Sequence, residues 1–298
     1  MKNYDVLIVG GGIAGLMSAY RLITERPDLK ILLIEKGKEI KKRQCPIITK
    51  KTSSCLKCKP CAIMEGLGGA GAFSDGKYII SNEYGGWLPD FMDGEEVLRY
   101  IHMADDILMS FGATKDVYMP DDELKLECLR HDLLMQQAIV KHLGTDANFN
   151  TMNNLIDFLL EHIEVLTMSR VVDIDIASHE VTYAQYSNEY VVRSENILIA
   201  VGRAGARDFK LWCEKNNIPL KNNQVDIGVR VELPWTIWKH FSARIYEPKI
   251  LYRTSLYHDS VRMFCFNEKG HVVTENTDGI LTVNGHSFKD EAKKSQNS

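Results

Sequence analysis

Tyr4-Asp5-Val6-Leu7-Ile8-Val9-Gly10-Gly11-Gly12-Ile13-Ala14-Gly15 is the stretch on which the reading of this chain turns. A short, β-branched apolar run with no alternation reads as a strand buried on both faces. It stops abruptly in three glycines. Beyond them Leu16, Met17, Ala19, Tyr20 and Leu22 keep helical spacing until Pro27, which cannot continue a helix. A second apolar run, Lys30 to Ile34, closes on Glu35. Strand, glycine turn, helix and strand thus fill about 35 residues, the size of one βαβ unit.

Gly10-x-Gly12-x-x-Gly15 in that setting is a dinucleotide fingerprint. Gly10 permits the tight turn, Gly12 lets backbone approach a diphosphate, and Gly15 lets the helix pack close on the strand. The helix start, with Ile13 and Ala14, offers free N–H groups and partial positive charge to the phosphates. Glu35, followed by Lys36, stands where an acid accepts hydrogen bonds from ribose hydroxyls, which favours FAD or NAD over NADP. The expected fold is α/β: a doubly wound, Rossmann-like nucleotide-binding domain.

The rest of the chain is read outward from this unit. Its 298 residues, 45% apolar and 26% charged, suit a globular protein with a substantial core and exclude disordered, collagen-like and coiled-coil classes. A net charge of −4, from 36 basic against 40 acidic residues, supports neither nucleic acid nor a membrane surface as partner. No run of roughly 18 apolar residues suggests a membrane span, and no signal peptide is evident, so a cytoplasmic protein is expected. From Lys36 to Lys59 nine Lys/Arg face one acid, Glu39, and this basic excursion holds Cys45, Cys55 and Cys58, with Cys61 just beyond it. The Gly-rich segment Gly66-Leu67-Gly68-Gly69-Ala70-Gly71-Ala72-Phe73-Ser74-Asp75-Gly76-Lys77 follows.

Periodicity predicts a helical insertion over 94–148. One helix lies around Val97, Ile101, Ile107 and Leu108, and another runs around Leu126, Leu129, Leu133, Leu134, Ala138 and Leu143. A helix after Asn150 leads into a meander of short strands near 164–166, 171–176, 181–183 and 190–192, and Asn196 to Val201 reads as a buried strand ending on Gly202. A helix over 207–217 and strands at 226–231, 250–252, 263–266, 271–274 and 280–283 complete the reading. The expected domains are 1–205, which holds the nucleotide, with 36–77 as its Cys-rich and Gly-rich loop, and 206–298, a mostly β, incomplete substrate or cap domain.

Ile197-Leu198-Ile199-Ala200-Val201-Gly202 resembles the second signature of glutathione reductase-type flavoproteins, with Val201 standing where that pattern has threonine. Cys45-Pro46, Cys55-x-x-Cys58-x-x-Cys61, the Gly66–Lys77 loop and Asp226-Ile227-Gly228-Val229-Arg230-Val231-Glu232 together resemble a family of bacterial FAD-dependent dehydrogenases, distantly similar to geranylgeranyl reductase-like flavoproteins. The resemblance implies an FAD-dependent oxidoreductase that transfers hydride through flavin, with a small-molecule substrate or a redox protein as partner. It implies that the first glycine motif holds the ADP half of FAD. It places Gly68, Gly69, Ala70 and Gly71 beside the flavin, Val171 along the adenine, and Ala200, Val201 and Gly202 beneath the cofactor. Apart from the resemblance, Arg43 could reach the FAD phosphates or simply belong to the basic run. A C-x-C-P element is implied where this chain has Cys265-Phe266-Asn267-Glu268.

Two successive C-x-x-C steps plus Cys45-Pro46 could converge four thiolates on a 4Fe-4S cluster or a zinc ion. Redox-active thiols or a plain basic loop are the alternatives. The histidines show no metal-ligand spacing. Ser74, Asp75 and Lys77 are candidates to stand near the flavin, and Trp235 and Trp238 could line a substrate pocket or pack a core. Family resemblance also implies a late Gly-Asp strand that closes the FAD site. No such element follows Val283, so a truncated or split chain is expected, and a non-catalytic nucleotide-binding or Cys-cluster electron-transfer subunit is the second reading.

Overall fold

The computed structural model describes residues 1–223, 225–277 and 279–298. In chain order the elements are β1 (Lys2–Val9), α1 (Ile13–Glu25), β2 (Ile31–Ile34), β3 (Lys77–Ile80), α2 (Gly94–Ser110), α3 (Asp122–Leu129), β4 (Leu134–Gln136), β5 (Ile139–His142) and α4 (Gly144–His162). There follow β6 (Glu164–Leu166), β7 (Ser169–Asp175), β8 (Glu180–Gln185), β9 (Asn188–Ile199), α5 (Gly202–Lys215), α6 (Trp235–Ile245), β10 (Lys249–Arg253), β11 (Ser260–Met263), β12 (His271–Thr277) and β13 (Ile280–His286).

Two compact units share the chain. One comprises 1–72, 152–229 and 274–282, the other 73–151, 230–273 and 283–298. This division differs from a boundary near 205: the helical segment over 94–148 belongs with the second unit, because its strands pair with partners far along the chain.

The first unit is built on a six-stranded sheet of order β6-β2-β1-β9-β8-β7. β6, β2, β1 and β9 run parallel, and β9, β8 and β7 form the antiparallel meander. Leu7, Leu32, Ile34 and Val181 are buried in its core beside Tyr4, Val9, Ile174, Tyr183 and Val192. The buried run in β1 is therefore a central parallel strand, as the sequence implies. The two strands expected near 190–192 and 196–201 are one continuous strand, β9, which pairs with β8 at its start and with β1 along most of its length. Register decides the site. Val9 lies opposite Ile34 and Ile199, and Ile34 opposite Leu166, so Gly10, Glu35 and Ala200 emerge together at the carboxyl edge of the sheet.

In the second unit β3 pairs with β5, and β11-β10-β4 form a small antiparallel sheet. Leu124, Cys128, Met135, Ile245 and Ile250 make its core. The long helix expected around Leu126 to Leu143 is not one element: α3 ends at Leu129, the chain reverses at Asp132 with φ +58°, and β4 and β5 follow. Partners far away in sequence, Leu251 for Leu134 and Lys77 for His142, override helical periodicity there. The strand expected at 263–266 ends where it was to begin, as β11, and α5 starts five residues before the helix expected from Arg207. Residues 226–231, expected as a strand, belong to no sheet. No helix among the described residues is long and apolar enough to cross a membrane.

Candidate functional site

The glycines at the carboxyl edge of β1 do three different jobs. Gly10 has φ +106°, and a Cβ there would lie well inside 3.0 Å of the Ala200 carbonyl. A Cβ on Gly15 would likewise run into the Gly10 carbonyl, so this glycine lets α1 sit directly on the turn. Gly12 is different: a Cβ would meet only the Cα of Gly69, at 3.9 Å. Its openness serves something other than the fold.

Gly12 caps α1 without any side-chain hydrogen bond, and no acid lies in the first turn. The first N–H groups of that helix have no intrahelical partner and carry the positive end of its dipole. They open onto a cavity of about 630 Å³ lined by Gly10, Gly12, Ile13, Ala14, Glu35, Lys36, Gly69, Ala70, Gly71, Ala200, Val201 and Gly202. Lys36, Arg203, Lys210 and Lys221 also line it, against the carboxylates Glu35 and Glu65, so the lining suits an anion. An adjoining cavity of about 490 Å³ shares Gly10, Glu35, Lys36, Ile199, Val201 and Phe209 and adds Val9, Ile34, Val171, Ile174 and Trp212. Together they offer a polar cradle at a helix start and an apolar slot beyond a buried acid.

Glu35 joins the two cavities and organises their floor. Its Oε2 accepts the Gly11 amide at 2.8 Å, and its Oε1 accepts the amides of Gly37 at 2.8 Å and Gly66 at 3.0 Å. A carboxylate has about four acceptor positions, so one remains on Oε2. Lys36 ties opposite walls, donating to the Ala204 carbonyl at 2.8 Å and pairing with Glu65 at 3.2 Å. α5 closes one side: Trp212 Nε1 donates to the Ile174 carbonyl at 2.9 Å, and Phe209 stacks on Trp212.

Three expected cofactor contacts have supporting roles. Gly15, in the first turn of α1, packs against the Gly10 carbonyl, and Gly68 donates its amide to the Gly11 carbonyl at 2.8 Å, fixing the Gly-rich loop to the glycine turn. Arg43 is buried, and its guanidinium donates to the carbonyls of Ala62, Ile63 and Leu67 at 3.0, 2.7 and 2.7 Å. Burial pulls it down to about 10, against the opposing pull of Glu35. This is a clamp on the 61–67 loop, and Arg43 is absent from the cavity wall. Ser74, Asp75 and Lys77 fall in the second unit, where they are internal. Asp75 Oδ1 accepts the Ser287 amide at 3.0 Å and lies 3.1 Å from His142 Nε2, and Lys77 pairs with buried Glu247. Trp235 donates to Glu268 at 2.9 Å, and Trp238 packs against Phe241 and Phe266.

The four clustered cysteines are free thiols, Cys58 exposed and Cys45, Cys55 and Cys61 half-buried. No group of three or more His, Cys, Asp or Glu among the described residues is placed to hold a metal. The iron–sulfur and zinc expectation therefore gains no support from how these thiols are placed. Local hydrogen bonds hold two of these cysteines in different turns. Cys45 opens a turn closed by Thr49 and Lys51, whereas the Cys61 amide donates to Glu65 and starts a separate turn.

Sequence reasoning also missed the α5 wall. The signal was the aromatic pair Phe209 and Trp212, three residues apart and therefore on one helix face.

Residues 5–44 match the family model described as FAD dependent oxidoreductase. The segment so matched contains most of β1, the glycine turn, α1, β2 and Glu35. Over 40 residues the chain is 52% identical to mitochondrial L-2-hydroxyglutarate dehydrogenase of Caenorhabditis briggsae, covering 13% of this chain and 9% of that protein. Over 292 residues it is 22% identical to an uncharacterized protein of Clostridium beijerinckii, covering 95% of this chain and 48% of the relative. The chain thus spans less than half the length of these curated relatives. Among solved structures, pyridoxine 4-oxidase from Mesorbium loti superposes with a TM-score of 0.44 at 16% identity, over 68% of this chain and 50% of that one.

Proposed function

We propose that this protein is an FAD-dependent oxidoreductase and that its first compact unit holds the ADP half and the diphosphate of the cofactor. The uncapped start of α1, facing Gly69 across a gap only glycines leave open, carries this reading. When bound, the flavin supplies hydride or single-electron exchange, chemistry that protein side chains lack.

The chain's own residues bind and orient. The first amides of α1 take the diphosphate, and Lys36, Arg203, Lys210 and Lys221 lower the cost of its charge. The remaining acceptor position of Glu35 takes a ribose hydroxyl, and that acid disfavours a 2′-phosphate. Val9, Ile34, Val171 and Trp212 give the base an apolar slot. Electrons pass to or from a small molecule or a redox protein.

Purified protein tests the proposal directly. It should carry flavin absorbance, release FAD when heat-denatured, and bleach with dithionite. Colourless protein that takes up no added FAD in equilibrium dialysis overturns it.

A further inference from the structure

Val225, Ile227, Val229 and Val231 alternate with Asp226, Gly228 and Arg230, the pattern of a strand with one apolar face. Yet this stretch joins no sheet, and its apolar side chains stand in solvent at 80, 94, 88 and 60% exposure. Four large apolar side chains on one edge of a short segment are unusual on an isolated protein and mark an interaction surface. Nothing lies within 4 Å of where a Cβ on Gly228 would stand. The segment is held at its far end, where Arg230 donates to the Cys265 carbonyl at 2.8 Å and to the Asn267 side chain.

We propose that residues 225–231 pair antiparallel with the same residues of a second copy of this chain, about a twofold axis at Gly228. The sequence is complementary to itself in that register and in no neighbouring one. Asp226 faces Arg230 of the partner copy twice over, Val225 faces Val231, and Ile227 faces Val229. Shifting the axis to Val229 would set Asp226 against Glu232, a like-charge pair. Opposed residues of an antiparallel pair share a face, so eight apolar side chains gather on one side of the ribbon and two ion pairs on the other. Two of the five guanidinium donors of Arg230 are already used, which leaves three for the partner's carboxylate. Such a contact is isologous and closes at two copies.

Sedimentation velocity on the intact chain should show a dimer at about 50 μM protein, the range expected for a short strand-pairing interface. Val229→Lys should weaken it roughly hundredfold, because a charge enters the apolar face. Register has its own readout. Directly opposed Cα atoms lie about 4.5–5.5 Å apart, within reach of a disulfide. Gly228→Cys treated with diamide, which accepts the two electrons and two protons released by the thiols, should form a covalent dimer bridged at position 228. Wild-type protein under the same treatment gives the background from native cysteines. A monomer at about 100 μM, a dimer indifferent to Val229→Lys, a different partner seated on 225–231 in its place, or no bridge at position 228 overturns the proposal. None of these readouts depends on flavin.

Discussion

Gly12→Ala and Gly15→Ala separate what the glycine motif does for the fold from what it does for a ligand. At Gly15 the added methyl would sit well inside 3.0 Å of the Gly10 carbonyl, with the Gly10 carbonyl carbon at 3.2 Å and Ile8 Cγ2 at 3.3 Å. None of these is the tip of a flexible side chain, so α1 must lift from β1. Overpacking of this kind costs about 1–3 kcal/mol, offset by about 1 kcal/mol for exchanging Gly for Ala within a helix. The expected net loss of up to about 2 kcal/mol lowers the melting temperature by up to about 8 °C. At Gly12, by contrast, φ is −77° and ψ −177°, which alanine adopts freely, and the only neighbour is Gly69 Cα at 3.9 Å. Stability of the cofactor-free protein should change by less than about 0.5 kcal/mol. The methyl nevertheless occupies the gap through which, on the proposed function, a diphosphate would approach the α1 amides. Losing two charge-assisted hydrogen bonds of about 1.5–3 kcal/mol each weakens FAD binding by about two to four orders of magnitude. Thermal melts of the apo variants, beside flavin titration by fluorescence quenching, check both halves. Gly12→Ala that binds FAD as tightly as wild type, or melts as early as Gly15→Ala, refutes the reasoning.

The second unit should show two pH limits. Burial opposes the Asp75 carboxylate, but His142, Lys77 and the Ser287 amide outweigh it and hold the group below 3.8. Its stabilisation is therefore present above pH 3.8 and lost as pH falls through the lower folded value. Lys77 is the mirror case: burial opposes its charge, Glu247 and Asp75 outweigh burial, and it is held above 10.5. That contribution is present below pH 10.5 and disappears as pH rises through the raised value. Asp75→Asn should flatten the acid limb of a stability–pH curve followed by circular dichroism while the alkaline limb persists; an unchanged acid limb removes Asp75 as its source. Alkylation gives another check. Under native conditions iodoacetamide should label Cys58 first and Cys45, Cys55 and Cys61 more slowly, as should exposed Cys265, whose thiol burial pushes up, whereas buried Cys128 and Cys213 react only after denaturation, as peptide mass spectrometry would show. Protection of Cys45 and Cys61 together with Cys55 and Cys58 in freshly isolated protein would contradict the separate turns of Cys45 and Cys61 described above.

The sequence by itself determined the βαβ start, because its signals are local: a buried apolar run, glycines at fixed offsets and an acid closing the second strand. Gly10, Gly12 and Glu35, picked out by the same local signals, line the adjoining cavities at the carboxyl edge of the sheet. The rest was decided only by tertiary structure. β4 and β5 carry helical periodicity, yet they are strands because β10 and β3, distant in the chain, provide their ladders. Arg43 and the cysteines share one basic run, and only the fold turns the arginine inward onto three carbonyls while setting Cys45 and Cys61 in separate turns. Glu35 appeared as a ribose ligand by position, but three backbone amides from two loops converge on it, a fact no spacing encodes. Strand propensity at 225–231 was legible, whereas its lack of a sheet was not. Propensity and motif spacing are properties of a few neighbouring residues; pairing, burial and the direction of a side chain depend on what the rest of the chain brings against them.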